Sequence, residues 1–126
     1  MIVGIGVDIV NVNRIGKSVG RFGDRFLKKI LSQSEAQEGL TGRQLIFYVA
    51  KQFAAKEAVS KALGTGMRFG VSFRTIQVLR GRDGRPYVKL SDRTAELAKG
   101  MGANNIQISL SDERDYAIAF VIASSN

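Results

Sequence analysis

The sequence predicts an α+β fold, a single compact domain over residues 1–126 in which a mainly antiparallel sheet surrounds a long central helix. Three observations carry this prediction. The chain has 126 residues with 44 % hydrophobic and 24 % charged side chains, which fits one globular domain able to bury about two-thirds of its unfolded surface. Strand-like and helix-like segments follow one another in the order β-α-α-α-β-β-α-β-β, without internal repeat, low-complexity stretch or linker. Two tight-turn signals, at 82–85 and 112–115, join neighbouring strands too closely for a parallel crossover.

Residues 2–10 read as the first strand. Val3, Ile5 and Val7 share one face, and Gly4, Gly6 and Asp8 share the other. A glycine-backed face lets another backbone or a ligand come close. Asp8 has two readings at this point, a ligand on that open face or the N-cap of the next helix. Residues 12–31 read as an amphipathic helix, weakened or bent by Gly16, Gly20 and Gly23. Ile15, Val19, Phe22 and Phe26 form its apolar stripe, while Arg14, Arg21, Arg25 and Lys28 form a basic ridge. Only Asp24 offsets six basic residues between Arg14 and Lys29. The ridge is either a solvated face or a docking surface for an acidic partner.

Ser34-Glu35-Ala36-Gln37 opens a short helix with a weak capping-box pattern. A loop through Gly39, Thr41 and Gly42 leads to the long helix, from about Gln44 to Leu63. Its stripe runs Ile46, Val49, Ala50 and Phe53, and is then interrupted by Glu57, one turn further along the same face. Lys61 follows at i+4, and the helix stops at Gly64-Thr65-Gly66. An acid, a lysine and a glycine-flanked turn suggest a place for a metal ion and phosphates. The plainer reading is a surface ion pair of a few tenths of a kcal/mol with an ordinary glycine cap. Strands follow at 71–79 and about 86–91, the second starting at the only proline, Pro86. A short helix at 92–101 and a hairpin of 105–111 with 116–123 complete the chain.

Composition narrows the chemistry. There is no cysteine and no histidine, which excludes disulfides, thiolate catalysis, serine–histidine catalysis and histidine-bound zinc or iron. Carboxylates are left as the strongest metal ligands, and hard oxygen donors suit magnesium, calcium or manganese. The net charge is +8: residues 1–93 hold 17 basic and 7 acidic side chains, whereas residues 94–126 hold 2 and 4. Such an excess points to a polyanionic partner, whether nucleic acid, a phosphate-rich cofactor or an acidic protein. MIVGIGVDIV lacks a basic lead-in and Asp8 breaks its apolar run, so a cytoplasmic protein without membrane contact is expected.

Four blocks, GIGVDIVNVNRI, FAAKEAVSKALGTG, DGRPYVKL and ISLSDERDYAIAFVIAS, together resemble the holo-acyl-carrier-protein synthases, the small 4′-phosphopantetheinyl transferases. The resemblance spans essentially the whole chain and implies that family's fold. It also implies transfer of 4′-phosphopantetheine from coenzyme A to a serine of apo-acyl carrier protein, releasing adenosine 3′,5′-bisphosphate, in fatty acid biosynthesis. By the same resemblance Asp8 and Glu57 are the Mg2+ ligands, Lys61 approaches the coenzyme A phosphates, and Ser60, Gly64, Thr65 and Gly66 line the nucleotide pocket. Arg14, Arg21, Arg25 and Lys28 become contacts for the acidic carrier, with Phe22 or Phe26 as an apolar anchor, and a homotrimer is expected.

The serine proton has three possible acceptors, Glu57, Asp112 or a metal-bound water. Three positions depart from many relatives. Gln52 stands where an arginine is common, Asn11 where a glutamate is common, and Asp112 where some relatives have a histidine. Two other classes remain. A small basic nucleic-acid-binding module would explain the charge, but it gives no reason for acids at 8 and 57 and lacks an exposed aromatic platform; nucleic acid is therefore not the expected partner. A non-catalytic relative that binds coenzyme A or the carrier would explain Gln52 and Asn11.

Overall fold

The computed structural model describes all residues, 1–126. Strand β1 (Ile2–Asn11) is followed by helices α1 (Val12–Phe22) and α2 (Asp24–Ile30), a 3-10 turn (Gln33–Glu35) and the long helix α3 (Gly42–Ala62). A second 3-10 turn (Phe73–Thr75) then leads into β2 (Ile76–Arg80), β3 (Pro86–Leu90), α4 (Asp92–Gly100), β4 (Asn105–Glu113) and β5 (Tyr116–Ser124). The strands form two antiparallel sheets, a three-stranded one ordered β1-β5-β4 and the separate β2-β3 hairpin. The α+β class stands, with two sheets in place of one.

The expected boundaries move where backbone chemistry overrides periodicity. Gly23 adopts φ +56, so the expected helix of 12–31 is two helices meeting at that residue. The break turns Phe22 outward, 48 % exposed, and removes it from the apolar stripe. Residues 73–75 form a turn, with Ser72 N donating to Thr75 Oγ1 at 3.1 Å, so the strand expected from 71 starts only at Ile76. Asn11 caps α1 by accepting from Asn13 N and Arg14 N. Asp8 is therefore not the cap.

The glycine-backed face of β1 does admit another backbone. A Cβ on Gly4 would lie 1.9 Å from Ala62 O, and one on Gly6 would lie 1.9 Å from Ala58 O. Any side chain there would force α3 off the sheet. Ala54, Ala55, Ala58, Val59 and Ala62 line this side of the helix, and with Ala117, Ala119 and Val121 of β5 they form the core. Small residues let the helix axis approach the sheet, and that approach places Asp8 beside α3. The opposite face of β1, holding Ile5, Val7 and Ile9, is exposed.

Two long polar side chains of α3 are completely buried, Gln52 and Lys56. The expected stripe of Ile46, Val49, Ala50 and Phe53 is only partly the core face, because α3 is covered on several sides through its middle turns. No helix is long and apolar enough to cross a membrane.

Candidate active site

Asp8 lies on β1 opposite Ala119 of β5, and its face is the one packed on α3. Lys61, in the last turn of α3, reaches across with its Nζ 3.2 Å from Asp8 Oδ1 and 3.0 Å from Val7 O. The i+4 spacing suggests an ion pair of Lys61 with Glu57. Lys61 pairs with Asp8 instead, and the Glu57 carboxylate accepts no hydrogen bond within the chain.

Glu57 is half-buried, and its carboxyl is pushed above its ordinary range. Burial is the main cause, the neighbouring Asp8 charge adds to it, and Lys61 partly offsets both. The cluster thus holds two carboxylates and one ammonium. Among side chains that attract a hard divalent cation, two like charges brought together by a strand and a helix are a suitable pair. Oxygen is the only ligand type present in it, so these residues fit Mg2+ better than zinc or copper.

Ser60 is fully buried and its hydroxyl donates to Glu57 O at 2.7 Å. Its own carbonyl receives Thr65 N and Gly66 N, each at 3.2 Å, while Gly64 N bonds Lys61 O at 3.0 Å. The amides of the Gly64–Gly66 loop are turned back onto the helix end, as in a glycine C-cap. What the loop offers is room. Gly64 (φ +76) and Gly66 (φ +60) each face open space where a Cβ would point. Arg68 Nε donates to Thr65 O at 3.2 Å and its guanidinium lies 5.5 Å from the Phe69 ring. Phe69 is 66 % exposed with φ +60, a costly conformation for a residue with a side chain. Nothing in the periodicity marks Arg68 or Phe69; only their place just after the glycine loop could do so.

Asp112 stands apart from this cluster. Its Oδ2 is 3.1 Å from Lys51 Nζ, on the N-terminal half of α3. Gln52 likewise points elsewhere: its Nε2 donates to Glu35 Oε2 and Val78 O, and Arg80 donates to its Oε1. The ridge residues Arg14, Arg21, Arg25 and Lys28 are spread over two helices, two on α1 and two on α2, and Arg21 lies 5.2 Å over the exposed Phe22 ring.

Comparison with known proteins agrees with this fold. The family model of the 4′-phosphopantetheinyl transferase superfamily matches residues 4–121. A holo-[acyl-carrier-protein] synthase of Vibrio vulnificus is 47 % identical over 124 residues, covering 98 % of each chain. The crystal structure of the holo-[acyl-carrier-protein] synthase of Neisseria meningitidis superposes with a TM-score of 0.91 at 40 % identity, covering 98 % of this chain and 99 % of that one. The synthase of Bacillus anthracis, in complex with CoA (3′,5′-ADP), superposes at 0.84 with 38 % identity, covering 100 % and 99 %. With agreement along its whole length, in sequence and in fold, this chain belongs to the 4′-phosphopantetheinyl transferase superfamily, a family of enzymes, and its relatives there are the holo-[acyl-carrier-protein] synthases.

Proposed function

We propose that this chain transfers 4′-phosphopantetheine from coenzyme A to a serine of an apo-acyl carrier protein, with Mg2+, as a cytoplasmic step of fatty acid biosynthesis. The observation that carries this reading is the cluster of Asp8, Glu57 and Lys61 beside the open Gly64–Gly66 loop. Asp8 and Glu57 hold the metal. When bound, it neutralises charge on the phosphate oxygens and on the departing bisphosphate. Lys61, half-exposed in spite of its bond to Asp8, is free to swing onto a phosphate. The space beside Gly64, Thr65 and Gly66 receives the nucleotide, and Ser60 holds the helix end that shapes it.

In the transfer, the serine oxygen bonds to the phosphorus bearing the pantetheine arm. The bond from that phosphorus to the bridging oxygen breaks, and adenosine 3′,5′-bisphosphate leaves. Positioning and charge neutralisation do most of the work in such reactions. The serine proton goes to a carboxylate. Glu57 is the carboxylate within the cluster, whereas Asp112 is held by Lys51.

The carrier docks on the ridge of Arg14, Arg21, Arg25 and Lys28, with Phe22 as the apolar anchor. Rim charges of this kind raise association rates and make them salt-sensitive. Self-association as a homotrimer is part of the same reading. Val7 opposes Phe120 and Ile9 opposes Ile118 across β1 and β5, and together with Ile5 and Tyr116 they form an exposed apolar sheet face. A patch of this sort is covered in most soluble proteins, and a further copy of the chain is the proposed cover; the number three rests on the family resemblance.

One assay tests the activity. Protein, coenzyme A and apo-acyl carrier protein are mixed with Mg2+ or with a chelator, and the carrier's mass is followed. The expected result is a gain of one phosphopantetheine only with the metal. Coenzyme A binding without any mass gain would make the chain a non-catalytic relative.

A further inference from the structure

A second polar cluster lies on another side of α3, and the transfer chemistry does not use it. Lys56, Glu35 and Gln52 have no exposed surface at all. The Lys56 ammonium donates to Ile30 O at 2.5 Å, Glu35 Oε1 at 2.6 Å and Phe73 O at 2.8 Å. Its three protons are therefore all used. Glu35 is equally saturated: Oε1 also accepts from Ser32 N at 2.9 Å, and Oε2 accepts from Gln52 Nε2 at 2.6 Å and Val78 N at 3.1 Å.

Such a cluster is a poor way to gain stability. The cost of stripping water from two ions usually cancels their attraction, and an apolar pair of the same size would serve as well. What an ammonium adds is direction, since it fixes three separate acceptors around one point. Here the acceptors come from the last residue of α2, from the first 3-10 turn and from the second. The Ile30 carbonyl is one of the orphan acceptors at a helix end, and Lys56 is its donor.

That tie is one of two polar contacts that place α2, whose Phe26, Leu27 and Ile30 also pack on the core. The helix has seven residues, begins after the left-handed Gly23 and ends in extended Leu31. Its other polar tie is a long one, Arg74 Nη1 to Lys28 O at 3.4 Å, at the surface. Lys56 precedes Glu57 on the same rigid helix. One side chain therefore links the helix bearing Arg25 and Lys28 to the helix bearing Glu57 and Lys61.

We infer that Lys56, held by Glu35, is a positioning residue for the transfer: it sets where a carrier docked on α2 presents its serine relative to the cluster on α3. This inference rests on the carrier-docking reading given above. A shifted α2 parts Arg25 and Lys28 from Arg14 and Arg21 on α1, so the carrier loses contacts in docking as well as alignment in transfer.

The test uses the full-length chain and three variants, Lys56→Met, the double variant Glu35→Leu/Lys56→Met, and Arg25→Ala. Melting temperature and the separate KM values for carrier and for coenzyme A are measured for each. Both Lys56 variants are expected to raise the carrier KM by about 10-fold or more, with the coenzyme A KM unchanged. The double variant has no lone buried charge but strands Ser32 N and Val78 N, so it recovers part of the lost melting temperature and keeps the raised carrier KM; should Lys56→Met fail to fold, it carries the test. A purely structural role would lower the active fraction and leave both KM values alone. An unchanged carrier KM in the Lys56 variants, with a raised one in Arg25→Ala, overturns the inference and leaves the docking surface standing. An unchanged carrier KM in Arg25→Ala overturns the docking surface and the inference with it. Equal rises in both KM values overturn the inference as well, because they place the damage at the cluster itself.

Discussion

Helix α3 carries an acid–lysine cluster on each of two sides, and the two are built from the same residue types to opposite ends. On one side Lys56 and Glu35 are fully buried, and every donor and acceptor is matched. On the other, Asp8 and Glu57 share a single lysine, Lys61, which is half in solvent. The closed cluster has no charge left over and offers nothing to a ligand. The open one has one carboxylate too many, which burial and Asp8 together hold above its ordinary proton affinity. Uncancelled charge within reach of solvent distinguishes a site from a strut, and the presence of an acid next to a lysine does not.

The largest expected effect comes from breaking the closed cluster. Lys56→Met leaves the Glu35 carboxylate buried without its counter-ion, which costs about 3–5 kcal/mol. Urea unfolding followed by circular dichroism measures it. The same change paired with Glu35→Leu removes the lone charge but strands Ser32 N and Val78 N, so it recovers only part of the loss. A loss under about 1 kcal/mol in the single variant would show that water reaches Glu35 and that the two clusters differ less than their burial indicates.

Breaking the open cluster affects rate more than stability. Glu57→Gln keeps the size of the side chain and removes a metal ligand and the proposed proton acceptor. Turnover is expected to fall at least about 100-fold, about 2.7 kcal/mol in barrier, with the fold intact. The carrier mass assay gives the rate, and circular dichroism gives the fold. Wild-type turnover would return Glu57 to the status of a surface acid.

The two clusters also differ in how far the sequence discloses them. The open one is legible. Gly4 and Gly6 alternate with Asp8, and that pattern already implies a strand face against which another backbone can lie; the 1.9 Å approach of a hypothetical Cβ to Ala62 O or Ala58 O is its physical content. Spacing alone places Glu57 and Lys61 on one helix, although the partner of Lys61 is Asp8, a contact 53 residues apart. The closed cluster is not legible. Lys56 and Gln52 look like surface residues of any helix, and their burial depends on Glu35, Ile30, Phe73 and Val78, which meet only through tertiary packing. Element order and class are likewise readable from periodicity, whereas the break at Gly23 and the turn at Phe73–Thr75 are decided by backbone conformation and local side-chain bonds. Gln52 shows the limit best: in the sequence it is only a departure where an arginine is common, and in the fold it is a buried amide bridging Glu35 and Arg80.

The smallest effect is the most direct probe of uncancelled charge. Because the Glu57 carboxyl is held above its ordinary range, the folded chain binds that proton more tightly than the unfolded chain does. Stability contributed by the protonated form is thus present below the ordinary carboxylate value and is lost as pH rises through the raised one. A glutamine amide at this position cannot ionise. The metal-free Glu57→Gln variant is therefore expected to melt slightly above the wild type near pH 7, and the gap is expected to close below about pH 4, where the carboxyl is neutral in both states. Calorimetry of both proteins in chelator across this range measures the gap, and solvent screening at the half-exposed site keeps it small. A variant that melts below the wild type at pH 7 would mean that Lys61 attracts Glu57 more strongly than burial and Asp8 oppose its charge. The open cluster would then already be balanced without a metal ion, and its contrast with the closed one would be a matter of exposure alone.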